Sequence, residues 1–178
     1  MASTPLVAGL VPLPSELSPT FADRRRAMAA KAEGRVLDLG DWDDHLDAYR
    51  AASLVTEVVR AADPSEIDDG RFDTIMSFIR TPLVADLTGY LDALLDRLAA
   101  DGRIALLEPV VRTGRTGRAL AIGGRVARAG GYHLDRDLPH EVRRHGLVVA
   151  DLWRFDVPSL SAPFRPFVEA WARRPVTP

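Results

Sequence analysis

The chain contains no cysteine, which excludes disulfides, thiolate metal sites and thiol catalysis. It also lacks an excess of either charge, with 23 Lys and Arg against 25 Asp and Glu and a formal net charge of -2. A dedicated nucleic-acid binder carries a basic surplus, so no nucleic-acid partner is expected. No apolar run reaches the roughly 20 residues that span a bilayer. The apolar, Pro-rich stretch Ala2–Pro14 is followed, not preceded, by basic residues (Arg24, Arg25, Arg26), the reverse of a secretory signal. A cytoplasmic protein without a membrane partner is the expectation. Aromatic residues are sparse, at 7%, and are not interleaved with basic ones as in a base-stacking platform. Trp42, Trp153 and Trp171 are therefore expected to pack.

Apolar residues are plentiful, at 47% of 178, enough for one core. No repeat, linker or low-complexity tract divides the chain. Residues 1–178 are expected to form one domain, with 1–33 an N-terminal arm and helix and 34–178 the core. A helix should start near Pro19, with Ser18 as its N-cap and proline at the first helical position, and end at Gly34. Arg35–Gly40 reads as a short apolar strand stopped by glycine. Val55–Arg60 is a second strand and Phe72–Phe78 a third.

A helix from about Val84 to Ala100 follows. Its Leu87, Tyr90, Leu91, Leu94, Leu95 and Leu98 share one face. Arg103–Leu107 is the next strand. Strand, helix and strand at this spacing make a βαβ crossover, hence a parallel sheet with helices on its faces. Val111–Tyr132 is rich in Gly and Arg and holds no acid; a short helix over Ala119–Ala129 fits it. Arg112, Arg115, Arg118, Arg125 and Arg128 could bind an anion, or simply belong to a mobile loop. Asp137 caps a further helix that ends before Gly146, and the strands Leu147–Phe155 and Phe167–Arg173 close the chain.

Several of these segments resemble a known family. Arg35-Val36-Leu37-Asp38-Leu39-Gly40 resembles the first motif of the class I S-adenosylmethionine (SAM) methyltransferases. Asp69–Ser77 is similar to that family's fourth strand, and Asp101–Pro109 to its fifth. His133–Asp137 and the Phe167–Pro175 end resemble small-molecule methyltransferases of the quinone-biosynthesis type. The resemblance runs from Gly34 to Pro175. It implies a Rossmann-like α/β fold, a mostly parallel sheet with helices on both faces and an antiparallel C-terminal strand pair.

It also implies a SAM site made by Asp38, Gly40, Asp63 and Ser77 at the carboxyl ends of the strands, with Arg80 near the reacting methyl group. His133 is the candidate catalytic base; the alternative is a histidine packed at a helix entrance. Methyl transfer depends mainly on in-line positioning, so no universal catalytic residue is required.

Two departures from the family pattern bear on function. The turn after the first strand is Gly-rich in the family because the cofactor approaches the backbone closely. Here it reads Gly40-Asp41-Trp42-Asp43-Asp44, with aspartates at glycine positions. Their bulk and charge oppose the cofactor's carboxylate. Secondly, only about thirty residues separate Gly40 from Phe72, where the family fits two strands with their helices and one βαβ unit alone takes roughly 30 residues. About one strand–helix unit is missing, and Asp63 could end either the second or the third family strand.

The acidic cluster Asp41, Asp43, Asp44, His45 and Asp47 suits a solvated helix face better than a metal site, and no metal is expected. The functional expectation is a pseudo-methyltransferase that works by binding a protein partner or a small-molecule ligand. The alternative is an active SAM-dependent methyltransferase acting on a small molecule. An uncovered sheet edge would also suit a homo-oligomer.

Overall fold

A computed structural model describes residues 14–67, 70–110, 127–128, 131–160 and 164–176. Most of the Gly- and Arg-rich segment, with Arg112, Arg115, Arg118, Arg125 and the helix expected there, lies outside the described residues. So do Asp68 and Asp69.

The first helix, α1 (Pro14–Ala29), contains Pro19 instead of starting at it. Leu17, Phe21 and Met28 are all buried in one cluster, at i, i+4 and i+11. That packing draws the preceding turn into the helix, against the local preference of proline for a first position. Strand β1 (Gly34–Leu39) follows, then the short helix α2 (Leu46–Ala51) and β2 (Val55–Ala61). A 3-10 turn at Pro64–Glu66 leads to β3 (Phe72–Phe78).

Helix α3 (Leu87–Arg97) is capped by Asp86, whose carboxylate accepts from the Gly89 amide. Strand β4 (Leu98–Pro109) begins directly at its end, longer than the apolar run suggests, because Leu98 pairs with Phe72. Helix α4 (Leu138–Arg144) is capped by Asp137 as expected. Strands β5 (Val148–Asp156) and β6 (Pro166–Arg173) complete the chain.

The strands form one sheet in the order β2-β1-β3-β4-β6-β5. The first four are parallel; β6 runs antiparallel to β4 and to β5. Successive residues of a strand face opposite sides, and the core divides accordingly. Val36, Met76, Phe78, Ala105 and Leu107 pack with Phe21 and Met28 of α1. Leu37, Leu39, Ile75, Ile104 and Leu106 pack under α3 and α4 with Tyr90, Leu91, Leu94 and Val142. This is the expected Rossmann-like α/β layering.

The doubly wound order 3-2-1-4-5 places a further strand outside strand 2. Here β2 is the edge, and β2 reaches β3 through the 3-10 turn with no intervening α-helix among the described residues. The missing unit is therefore the one beyond β2, and Asp63 ends the strand beside β1, the place of strand 2. Trp42 and Trp171 are buried as expected, but Trp153 is 63% exposed on edge strand β5. An edge strand has a neighbour on one side only, which leaves this ring outside the core.

Candidate functional site

Ligands of open α/β sheets bind beyond the carboxyl ends of the strands, where the chain reverses its direction of winding. In this sheet that point lies between β1 and β3. Asp38, Gly40, Asp63 and Ser77 all come to that end of the sheet, on β1, after β1, after β2 and on β3. Asp38 and Ser77 nevertheless face opposite sides. Asp38 pairs in register with Arg60 and Met76 and points beneath α2. Ser77, level with Leu39 and Leu106, points beneath α3.

The Asp38 carboxylate is fully buried. Its Oδ2 lies 2.8 Å from His45 Nε2 and 3.8 Å from Arg60 Nε, while Oδ1 has no hydrogen-bond partner. His45 is itself fully buried, edge-on to Tyr49 and Phe78 at ring distances of 5.3 and 5.1 Å. Burial, then the Asp38 charge, pushes the Tyr49 hydroxyl far above its ordinary pKa. His45 occupies the N-cap position of α2 without capping it, since its ring reaches back into the sheet.

The turn after β1 is fastened at each aspartate. Arg60 donates to Asp43 Oδ1 at 2.7 Å and to the Trp42 carbonyl at 3.0 Å. Arg80 faces Asp41 at 3.7 Å and donates to the Ala62 carbonyl. Arg25, fully buried on α1, holds Asp44 through Nε at 2.9 Å and lies over the Trp42 ring. Trp42 folds back on Gly40, so that a Cβ at Gly40 would meet its ring at 3.2 Å. The space above Gly40 is thus filled from within the chain. The turn carries Trp42 and three aspartates where the family resemblance implies glycines beside the methionine part of SAM.

On the other face a second buried network forms. Glu108, at the end of β4, accepts from Ser77 Oγ at 2.9 Å, the Arg80 amide at 3.0 Å and the Thr81 amide and hydroxyl at 3.2 and 2.8 Å. Ser77 Oγ also meets the Tyr90 hydroxyl at 2.9 Å. Burial raises the Glu108 carboxyl to about 7, outweighing the donors that favour its charge. Ile79, inside this turn, has φ 53, a left-handed conformation unusual for a β-branched residue.

Asp63 caps the 3-10 turn through Ser65; hydrogen bonding from Ser65 lowers its pKa and keeps it ionised. His133 donates its amide to the Pro82 carbonyl at 2.8 Å, which brings it beside the Glu108 turn and away from Asp38. Burial, then the Arg136 and Arg128 cations, lowers its pKa. No group of three metal-ligating side chains comes together among the described residues. Of the acidic cluster, Asp41, Asp43 and Asp47 are exposed whereas Asp44 is half-buried and His45 wholly inside.

Reading the sequence missed Arg60, Tyr49 and the pairing of His45 with Asp38. The available signal was a lone histidine seven residues after a strand-terminal acid.

The fold is similar to that of solved SAM-dependent methyltransferases. The SAM-dependent methyltransferase SibL in its apo form is similar at a TM-score of 0.62 and 17% identity, over 91% of this chain and 57% of that one. CalO1, a methyltransferase of calicheamicin biosynthesis solved with S-adenosylhomocysteine (SAH), gives 0.60 and 14%, over 90% and 56%. The N-methyltransferase NodS of Bradyrhizobium japonicum, also bound to SAH, gives 0.55 and 12%, over 94% and 91%. The chain spans little more than half the length of SibL and CalO1. No family model matches it, and no curated protein matches it in sequence.

Proposed function

We propose that this chain is a pseudo-methyltransferase, a methyltransferase fold kept for binding a protein partner or ligand and not for methyl transfer. The observation that carries the proposal is the occupied turn after β1. Asp38, the acid expected near the SAM amino group, is already taken by His45 inside the core. Asp41 and Asp43 stand at the glycine positions, held by Arg80 and Arg60. Asp41 and Asp43 are themselves exposed, so their pairs with Arg80 and Arg60 contribute about 0–1 kcal/mol each, and the larger obstacle is the fully buried Asp38–His45 contact. A cytoplasmic location goes with this reading.

A second reading is an active SAM-dependent methyltransferase acting on a small molecule, with His133 as the base. It is favoured by Asp63, ionised at the end of the strand beside β1, where a ribose-binding acid belongs. The SAH-bound state of CalO1 and NodS goes with it. The two readings separate in one calorimetric experiment. SAM is titrated into the Asp41→Gly/Asp43→Gly variant and into the wild type side by side. Affinity present only in the variant supports the first reading; equal micromolar affinity in both supports the second.

A further inference from the structure

The turn after β3 is pinned along its backbone. Ile79 is left-handed, with φ 53, and strain of that kind in a β-branched residue persists only where its surroundings fix it. The Ile79 amide donates to the Leu107 carbonyl at 2.8 Å and the Arg80 amide to Glu108 Oε1 at 3.0 Å. From this fixed base the Arg80 side chain reaches across the sheet. It donates to the Ala62 carbonyl, just past β2, and faces Asp41, just past β1, at 3.7 Å.

The strand order is β2-β1-β3. A side chain that starts beyond β3 and ends beyond β2 therefore passes the carboxyl end of β1, which lies between them. Only 14% of this side chain is exposed. The place it fills is the switch point, where open α/β sheets receive nucleotide ligands. Asp63, next to Ala62, stands about 20 residues beyond Gly40, the spacing at which an acid meets a ribose hydroxyl in such sheets. The closed position is incompletely satisfied. Arg80 Nε is buried with no hydrogen-bond partner among the described residues, and a buried donor left unpaired opposes the arrangement that buries it.

We propose that Arg80 is an autoinhibitory strap, which closes the crevice at the ends of β1 and β2 against a nucleoside and admits one when it is withdrawn. The inference rests on the pseudo-methyltransferase reading, in which the wild-type crevice is shut, and adds the residue that shuts it.

The test titrates adenosine into the full chain by isothermal calorimetry, with circular dichroism confirming each fold. Adenosine is uncharged, so its binding reports space and not the loss of a cation. It has no methionine part, so the Asp38–His45 contact does not enter. Arg80→Ala should bind it saturably in the high-micromolar range, at least tenfold tighter than the wild type, which should give no saturable heat at millimolar adenosine. Arg97→Ala unties the connection between β2 and β3 at the Ile67 carbonyl, away from the strand ends, and should bind no better than the wild type. The proposal is overturned if folded Arg80→Ala binds adenosine no better than the wild type, or if Arg97→Ala gains as much. Should Arg80→Ala not fold, Arg80→Met, which keeps the stem and loses both anchors, is judged by the same criteria. Failure of both to fold also overturns it, since a strap that can be withdrawn leaves a folded protein. Variants that ignore adenosine leave the pseudo-methyltransferase reading standing, whereas SAM binding by the wild type overturns that reading whatever the variants do.

Discussion

Replacing His45 by phenylalanine keeps a ring against Tyr49 and Phe78 but removes the 2.8 Å contact to Asp38 Oδ2. Asp38 Oδ1 already lacks a partner, so the variant leaves a fully buried carboxylate with only Arg60 Nε, 3.8 Å away. Losing one member of a buried pair costs about 3–5 kcal/mol, and the remaining cation places this case near 3 kcal/mol. For a chain of this size each kcal/mol moves the melting temperature by about 2–4 °C, so a fall of roughly 6–12 °C is expected by circular dichroism. Removing the charge as well, in Asp38→Leu/His45→Phe, should restore most of the loss, since apolar pairs replace buried ion pairs at little cost. A His45→Phe variant within about 0.5 kcal/mol of wild type, or a double variant no better than the single one, refutes the pairing.

Glu108 supplies a pH test. Its folded pKa, about 7, lies above its ordinary value of 4.5, so the folded chain binds the proton more tightly than the unfolded one. That contribution to stability is complete below pH 4.5 and is lost as pH rises through 7, a change on the order of 3 kcal/mol. Urea midpoints measured across this window should fall in the wild type relative to Glu108→Gln; parallel profiles would contradict the assignment. Gly34 has φ +64, and a Cβ there would lie 2.1 Å from Asp73 Oδ2. Gly34→Ala should therefore cost about 1–3 kcal/mol in thermal denaturation, and an unchanged melting temperature would count against this backbone.

The central βαβ unit was legible because its signals are local. Phe72–Phe78 carries Phe72, Ile75, Met76 and Phe78, α3 carries its leucines on one face, and Asp137 caps α4 where the sequence places it. The start of α1 was not, because the burial of Leu17 against a distant sheet outweighs the preference of Pro19. The site was legible as positions and not as contacts. Asp38, Gly40, Asp63 and Ser77 reach the strand ends, but alternation along the strands sends Asp38 and Ser77 to opposite faces. Whether an aspartate in the turn stays solvated or meets an arginine depends on residues that are distant in sequence. Arg25 lies on α1, Arg60 on β2 and Arg80 after β3, and only the folded sheet gathers them around Asp41, Asp43 and Asp44.

The most direct measurement of the central claim is an equilibrium titration of SAM into the wild-type chain by isothermal calorimetry. With the turn after Gly40 filled by Trp42 and fastened by Arg60 and Arg80, no saturable heat is expected up to millimolar SAM. A one-site isotherm in the micromolar range would contradict that account.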